Sequence, residues 1–126
     1  IAVGPLAGSY LEAMLSLEAA IQPSFWAVAE LPLARAPMPE LLQRQIAEAK
    51  VVYVAEEHVA RGGFASELAL HLLSNCKSPP RIHHLSAQSH LYPRYGSQSY
   101  LRRQSGLAPT SLLDAIRNGS SRIHRA

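Results

Sequence analysis

The clearest pattern of apolar and polar positions in the chain lies between residues 51 and 73. A run of β-forming residues, 51–54, precedes a charged triplet and then the glycine pair Gly62-Gly63. After the glycines, apolar residues recur at helical spacing, and we expect the face that they share to be buried. They are Phe64, Ala65, Leu68, Ala69, Leu72 and Leu73. The pattern predicts a strand that stops at the triplet, a polar loop, a glycine turn and a helix, which is the core of an α/β unit.

Similar units flank this segment on both sides. Helical periodicity predicts helices over about residues 6–20, 40–49, 96–105 and 109–117, the last ended by Asn118-Gly119. Short apolar runs predict strands at residues 1–3, 25–30 and 81–86, and three prolines within residues 31–39 predict a rigid loop. In the first helix one face carries Leu11, Met14, Leu15 and Ala19. Strands that alternate with helices form a mostly parallel sheet covered on both faces, so we expect a three-layer α/β/α fold with about five strands.

The composition indicates one globular domain over residues 1–126. Hydrophobic residues make up 48% of the chain, and no apolar run approaches the roughly 20 residues of a membrane-spanning helix. A signal-peptide pattern is absent, and the single cysteine, Cys76, excludes an internal disulfide, so we expect a cytoplasmic protein with no membrane contact. Because the chain opens on Ile1 inside a predicted strand, it looks like a fragment of a longer chain or a separate subunit.

The positive charge lies mostly in the second half of the chain. The formal net charge is +3, and three tyrosines interleave there with three arginines. They are Tyr92, Tyr95, Tyr100, Arg94, Arg102 and Arg103. A nucleic-acid surface needs such residues on one face, but this charge surplus is small for a phosphate-binding module. We therefore do not expect nucleic-acid binding.

The charged triplet Glu56-Glu57-His58 is the densest cluster of ionisable residues in the sequence. Two carboxylates beside an imidazole could perform acid/base chemistry if burial separates their pKa values. Consecutive residues at the end of a strand point in alternating directions, so at most two of the three share a site. The alternative is a structural ion-pair network or a contact with a neighbouring domain.

The glycine pair offers a second candidate site. Gly62, Gly63 and Phe64 precede a helix, where free backbone N–H groups attract anions such as phosphate, and Arg61 adds positive charge. The alternative is a turn that needs a positive φ or a close approach of helix and strand. The histidines are not spaced as metal ligands, and no cysteine pair or HExxH pattern occurs, so we expect no metal site.

The segment VVYVAEEHVARGGFASE, residues 51–67, resembles the EEHxxxGGFGSE signature of the transketolase C-terminal domain. This domain occurs in transketolases, deoxyxylulose-phosphate synthases and the beta subunits of 2-oxoacid dehydrogenases. The resemblance extends to Leu31-Pro32 upstream and to Gly106-Leu107 downstream, and so covers nearly the whole chain. The chain departs from the family pattern at Ala65, where the family has glycine, and at Ala108, where the family often has a helix-capping residue.

The resemblance implies a function for the whole enzyme and a more limited one for this chain. The parent enzyme would use thiamine diphosphate and Mg²⁺, bound by two preceding domains, so this domain would hold no cofactor and no catalytic residue. It would serve as a structural and assembly domain of a homodimeric transferase, inactive alone, and its sheet would be mixed, with one antiparallel strand. Its partner would be the thiamine-diphosphate-binding domains or subunit, contacted or regulated through Glu56, Glu57, His58 and Arg61. The alternative function is an anion-binding regulatory module at Gly62, Gly63 and Phe64.

Overall fold

A computed structural model describes residues 1–33, 35, 37–87 and 95–123, with the backbone alone for 119–123. Tyr92 and Arg94, two of the interleaved tyrosines and arginines, lie outside these residues. The strands are β1 (Ala2–Val3), β2 (Ala27–Val28), β3 (Val51–Val59) and β4 (Arg81–Ala87). The helices are α1 (Ala7–Leu15), α2 (Glu40–Glu48), α3 (Phe64–Asn75), α4 (Gln98–Gln104) and α5 (Pro109–Ile123), with short 3-10 turns at Gly4–Leu6 and Ala19–Ile21.

The strands form one sheet in the order β2-β1-β3-β4, and each neighbouring pair is parallel. A helix lies between consecutive strands of the chain, and such a connection returns the chain to the same end of the sheet. The expected parallel α/β architecture is therefore confirmed. The described part of the chain contains four strands instead of about five, and none of them is antiparallel, so the expected mixed sheet is not found there.

Helices cover both faces of the sheet, as the three-layer prediction requires. On one face α1 and α5 bury Tyr10, Met14, Leu112 and Ile116 against Ala55. The other face carries α2 and α3, whose buried side chains pack on Val52 and Val54. They are Leu42, Ile46, Phe64, Ala65, Leu68 and Leu72. Successive residues of β3 thus alternate between two separate cores, as a strand buried on both faces must.

The sequence predicted that β3 stops at the charged triplet, but the strand continues through it to Val59. The pairing with β4 explains how charged residues fit in a strand. Ala55 pairs with Leu85 and Val59 pairs with Ala87, so β3 uses four residue steps where β4 uses two. The triplet lies in this irregularity, where a strand bends and can direct a side chain away from its ordinary position.

Other element boundaries differ from the prediction for physical reasons. Strand β2 covers only Ala27–Val28, because its partner β1 is itself two residues long. Helix α1 ends at Leu15, and α5 continues past Asn118-Gly119 to Ile123. Leu73, expected in the core, is 70% exposed.

The first helix differs in the same way at its predicted apolar face. That face includes Leu11 and Leu15, but Leu11 is 42% exposed and Leu15 is 68% exposed. The buried stripe of this region follows Leu6, Tyr10 and Met14, each four residues after the previous one. Leu11 and Leu15 lie about 100° further round the helix. Within the described residues, no helix combines the length and apolar character needed to cross a membrane.

Tyr10 joins two parts of the chain that are distant in sequence. Its ring is fully buried, and its hydroxyl donates a hydrogen bond of 3.0 Å to the carbonyl oxygen of Leu107, just before α5. Burial raises the pKa of Tyr10 to about 12, while the charge of Arg102 lowers this pKa and that of Glu57 raises it further. The neutral phenol is therefore the form that the fold stabilises.

We expect Tyr10→Phe to lower the free energy of unfolding by about 1 kcal/mol near neutral pH, because the Leu107 carbonyl loses its donor. The folded-state pKa of Tyr10 lies above its unfolded value, so its contribution is complete below about pH 10 and is lost as the pH rises towards 12. Urea unfolding of both proteins at about pH 8 and about pH 11.5 measures the difference. If the free energies of unfolding of wild type and variant differed by the same amount at both pH values, this account would be contradicted.

Candidate functional site

Glu56 lies on β3 and directs its carboxylate to the first turn of α3, and the residue is only 2% exposed. Its Oε2 accepts a hydrogen bond of 2.7 Å from the backbone N–H of Phe64, and its Oε1 accepts one of 3.1 Å from that of Ala65. The first N–H groups of a helix have no partner inside the helix, and the helix dipole favours a negative charge beside them. The carboxylate of Glu56 therefore caps α3, although Phe64 lies eight positions further along the chain.

The two glycines of the turn are required for different reasons. Gly62 has a φ of +78°, a left-handed conformation that residues with a side chain rarely adopt. Gly63 has an ordinary φ, but a Cβ atom at this position would lie 2.3 Å from Oε2 of Glu56. The missing side chain of Gly63 thus makes room for the capping carboxylate.

His84 on β4 is the third part of this arrangement. Val54 pairs with His84 in the parallel register, and the imidazole lies on the Glu56 side of the sheet. Its Nε2 is 2.7 Å from Oε1 of Glu56, and this nitrogen is buried without a well-aligned hydrogen bond. When protonated, His84 forms a partly buried ion pair with the carboxylate. We define Glu56, Gly63 and His84, with the N–H groups of Phe64 and Ala65, as the capping cluster.

Glu57 points to another part of the molecule. Its Oε1 accepts a hydrogen bond of 2.7 Å from Nε of Arg102 on α4, and its side chain is 37% exposed. Nη2 of Arg102 is buried and has no hydrogen-bond partner in the part of the chain that the structure describes. The contact therefore attaches α4 to the end of β3 on the side opposite the capping cluster.

The remaining sequence candidates lie at the surface. His58 is exposed, and its Nδ1 is 2.8 Å from the carbonyl oxygen of its neighbour Val59, which is a local contact. Arg61 is exposed on the loop before Gly62. The three members of the triplet thus have three different environments, and the acid/base hypothesis that needs two of them in one site is not supported.

The expected anion site at the start of α3 already contains an anion, which is the carboxylate of Glu56. The N–H groups of Phe64 and Ala65 both donate to it, and those of Ser66 and Glu67 donate to the carbonyl of Gly63. A phosphate would have to displace Glu56 to bind the first two groups. Among the described residues, no group of three or more His, Cys, Asp or Glu side chains could hold a metal ion.

No protein-family model, no characterised protein and no solved structure matches this chain. The resemblance to the transketolase C-terminal domain therefore stays a prediction. The geometry above gives that signature a physical meaning of its own, because its first glutamate and its second glycine are in direct contact.

We expect Glu56→Gln to lower the free energy of unfolding by about 3 kcal/mol. The amide of glutamine has no negative charge to interact with the start of α3 and with His84. Its NH₂ group also replaces an acceptor oxygen, so a donor would face the buried N–H of Phe64 or Ala65. Glu57→Gln is the matched control, since its partly exposed ion pair contributes at most about 1 kcal/mol. Urea unfolding of the two variants measures the difference, and equal losses would show that Glu56 is not a structural cap.

We expect Gly63→Ala to destabilise the protein by about 2 kcal/mol or more, because the new Cβ must push the Glu56 carboxylate away from α3. In a double-mutant cycle with Glu56→Gln, the two losses should overlap instead of adding, since either change alone disrupts the same contact. Gly8→Ala is the control, because a Cβ at Gly8 would meet nothing within 4 Å. Additive losses of unfolding free energy in the cycle would show that Gly63 and Glu56 stabilise the protein independently.

Proposed function

We propose that this chain is the structural and assembly domain of a transketolase-type, thiamine-diphosphate-dependent enzyme and has no activity alone. The observation that supports this most directly is the capping cluster. Two residues of the EEHxxxGGF signature, Glu56 and Gly63, hold the end of β3 against the start of α3. The signature therefore has a folding role in this chain, which does not depend on catalysis.

The hydrogen bonds that the Glu56 carboxylate already accepts favour this function over acid/base catalysis. Each carboxylate oxygen already has a backbone donor, and Oε1 also faces His84. A general base needs a lone pair within reach of a substrate proton, and a buried carboxylate with both oxygens engaged does not offer one without leaving the helix. The geometry likewise gives no specific support to the anion-binding alternative at Gly62, Gly63 and Phe64.

The residues beside the cap are suited to contact a partner. Glu57, His58 and Arg61 are exposed at the carboxyl end of β3, the end at which open α/β sheets usually place their working groups. The rigid cap beneath them fixes the backbone of this edge, which lowers the conformational entropy lost on association. We refer to these three residues as the charged edge, and we propose that it contacts the thiamine-diphosphate-binding domains or subunit.

The proposed parent enzyme would be a cytoplasmic homodimer whose other domains hold thiamine diphosphate and Mg²⁺. Bound there, the cofactor supplies the carbanion chemistry of ketol transfer. The resemblance assigns the cofactor contacts to those domains, so we propose none for this chain. Its contribution would be to hold the catalytic domains in their dimer.

A reconstitution experiment tests the proposal. The partner is a transketolase-type enzyme of the same organism from which the C-terminal domain has been removed, with thiamine diphosphate and Mg²⁺ present. We expect this chain alone to give no ketol transfer from a ketose phosphate, and its addition to restore both the dimer and the activity. Sedimentation measures the dimer, and a coupled assay measures turnover.

The charged edge provides the informative variant. The triple change Glu57→Gln, His58→Ala and Arg61→Ala should weaken reconstitution by about tenfold or more, since interface residues of this kind contribute about 1 kcal/mol each, while the melting temperature stays close to wild type. The double change Glu12→Gln and Arg44→Ala, at exposed positions on α1 and α2, is the control. Turnover by the isolated chain would overturn the proposal, as would failure of the chain to bind the truncated enzyme. Loss of turnover with an intact dimer would favour a catalytic role for the edge.

A further inference from the structure

Helix α4 is a short element at the surface of the domain. It has seven residues, and none of them is fully buried. Tyr100, Leu101 and Arg102 are half-buried, and the other four residues are exposed. A helix of this length is not stable by itself in water, so α4 needs contacts with the rest of the chain. Elements with few buried apolar side chains are also those that open locally while the rest of a protein stays folded.

One contact of α4 is the ion pair between Glu57 and Arg102. Nε of Arg102 donates to Oε1 of Glu57 at 2.7 Å, across 45 positions of the sequence. The side chain of Arg102 is 15% exposed and that of Glu57 is 37% exposed. A hydrogen bond between two charged groups is about twice as strong as one between neutral groups. This pair therefore holds α4 against β3.

The same guanidinium group loses hydration when α4 is closed. Nη2 of Arg102 is buried and lacks a hydrogen-bond partner among the residues that the structure describes. A buried donor without a partner costs about as much free energy as one charge-assisted hydrogen bond contributes. The gain at Nε and the loss at Nη2 oppose each other. Closing thus releases little net free energy through this side chain, and an open state lies close in free energy.

The chain on each side of α4 is suited to act as a hinge. Gly96 precedes the helix, and Gly106 follows it with a φ of +76°. Glycine tolerates large changes of backbone conformation, and hinges are a few such residues at the ends of an element. Immediately after Gly106, Leu107 is 2% exposed, and its carbonyl accepts the hydrogen bond of Tyr10. The helix can therefore move while the start of α5 stays attached to α1.

We propose that α4 is a latch on β3, which opens as a unit about Gly96 and Gly106 while the sheet stays folded. The ion pair between Glu57 and Arg102 keeps the latch closed. Opening it hydrates Nη2 of Arg102 and releases both charged groups, which can then bind charged groups of another molecule. The latch thus controls when these two side chains are available. This inference is independent of the proposed assembly function.

Hydrogen exchange resolved by residue tests the latch on the whole chain. The reporters are the backbone N–H groups of Leu101 and Ser105, which donate to the carbonyls of Ser97 and Leu101. We expect their protection factors to be at least about tenfold lower than those of the buried residues of β3. They should also be insensitive to low urea concentrations, because opening a short surface helix exposes little surface.

The ion pair is tested by Glu57→Gln. This variant should lower the protection factors of α4 about twofold to fivefold, the range that a partly exposed ion pair contributes, and leave those of β3 and α3 unchanged. Glu12→Gln is the matched control, because it removes the same charge at an exposed position on α1. We expect it to leave the exchange of α4 unchanged.

Salt provides a second test without any change to the protein. At about 1 M salt the screening length falls to about 3 Å, which weakens an ion pair whose glutamate is partly exposed. The protection factors of α4 should fall in the wild type and respond much less in Glu57→Gln, which has no charge left to screen.

Three results would overturn the inference. The amides of α4 could be as protected as those of β3 and show the same urea dependence, which would mean that α4 opens only when the whole domain unfolds. Glu57→Gln could lower the protection of all elements equally, which would make the pair a part of the global fold. Glu57→Gln and salt could both leave α4 unchanged, which would show that other contacts hold the helix.

Discussion

The carboxylate of Glu56 at the start of α3 is the central contact of this fold. It satisfies two helix N–H groups that would otherwise be buried without a partner, and the positive end of the helix stabilises its charge. It also faces His84, so it links β3, α3 and β4 at one point. The close approach is possible because Gly63 has no side chain.

This contact changes how the charged triplet is understood. Three adjacent ionisable residues suggest a reactive centre when they are considered as a sequence. In the fold, Glu56 is turned towards α3, Glu57 pairs with Arg102 on α4, and His58 is exposed. The first residue stabilises the domain, and the other two are available at its surface. A structural role for the triplet is therefore compatible with an assembly function at the same edge.

Several features of the fold follow directly from local sequence. The β-forming run before the triplet, the helix after Gly63 and the alternation of strands with helices all depend on contacts between near neighbours. The turn could be expected too, since a glycine pair before a helix implies either positive φ or close packing, and both occur here, one at each glycine. Errors were concentrated at element ends, such as the continuation of α5 past Gly119, where packing and local preference compete.

The order of the elements, the three-layer arrangement and the importance of residues 56–64 follow from the amino-acid pattern. The roles of those residues depend on contacts between distant elements. The partners of the triplet, His84 and Arg102, lie on other elements, and Tyr10 and Leu107 are joined across almost the whole chain. Such contacts depend on the register of β3 against β4, including its irregularity between Ala55 and Val59. A shift of one residue would reverse the face of every side chain, and the irregularity beside Glu56 is not visible in the local pattern of residues.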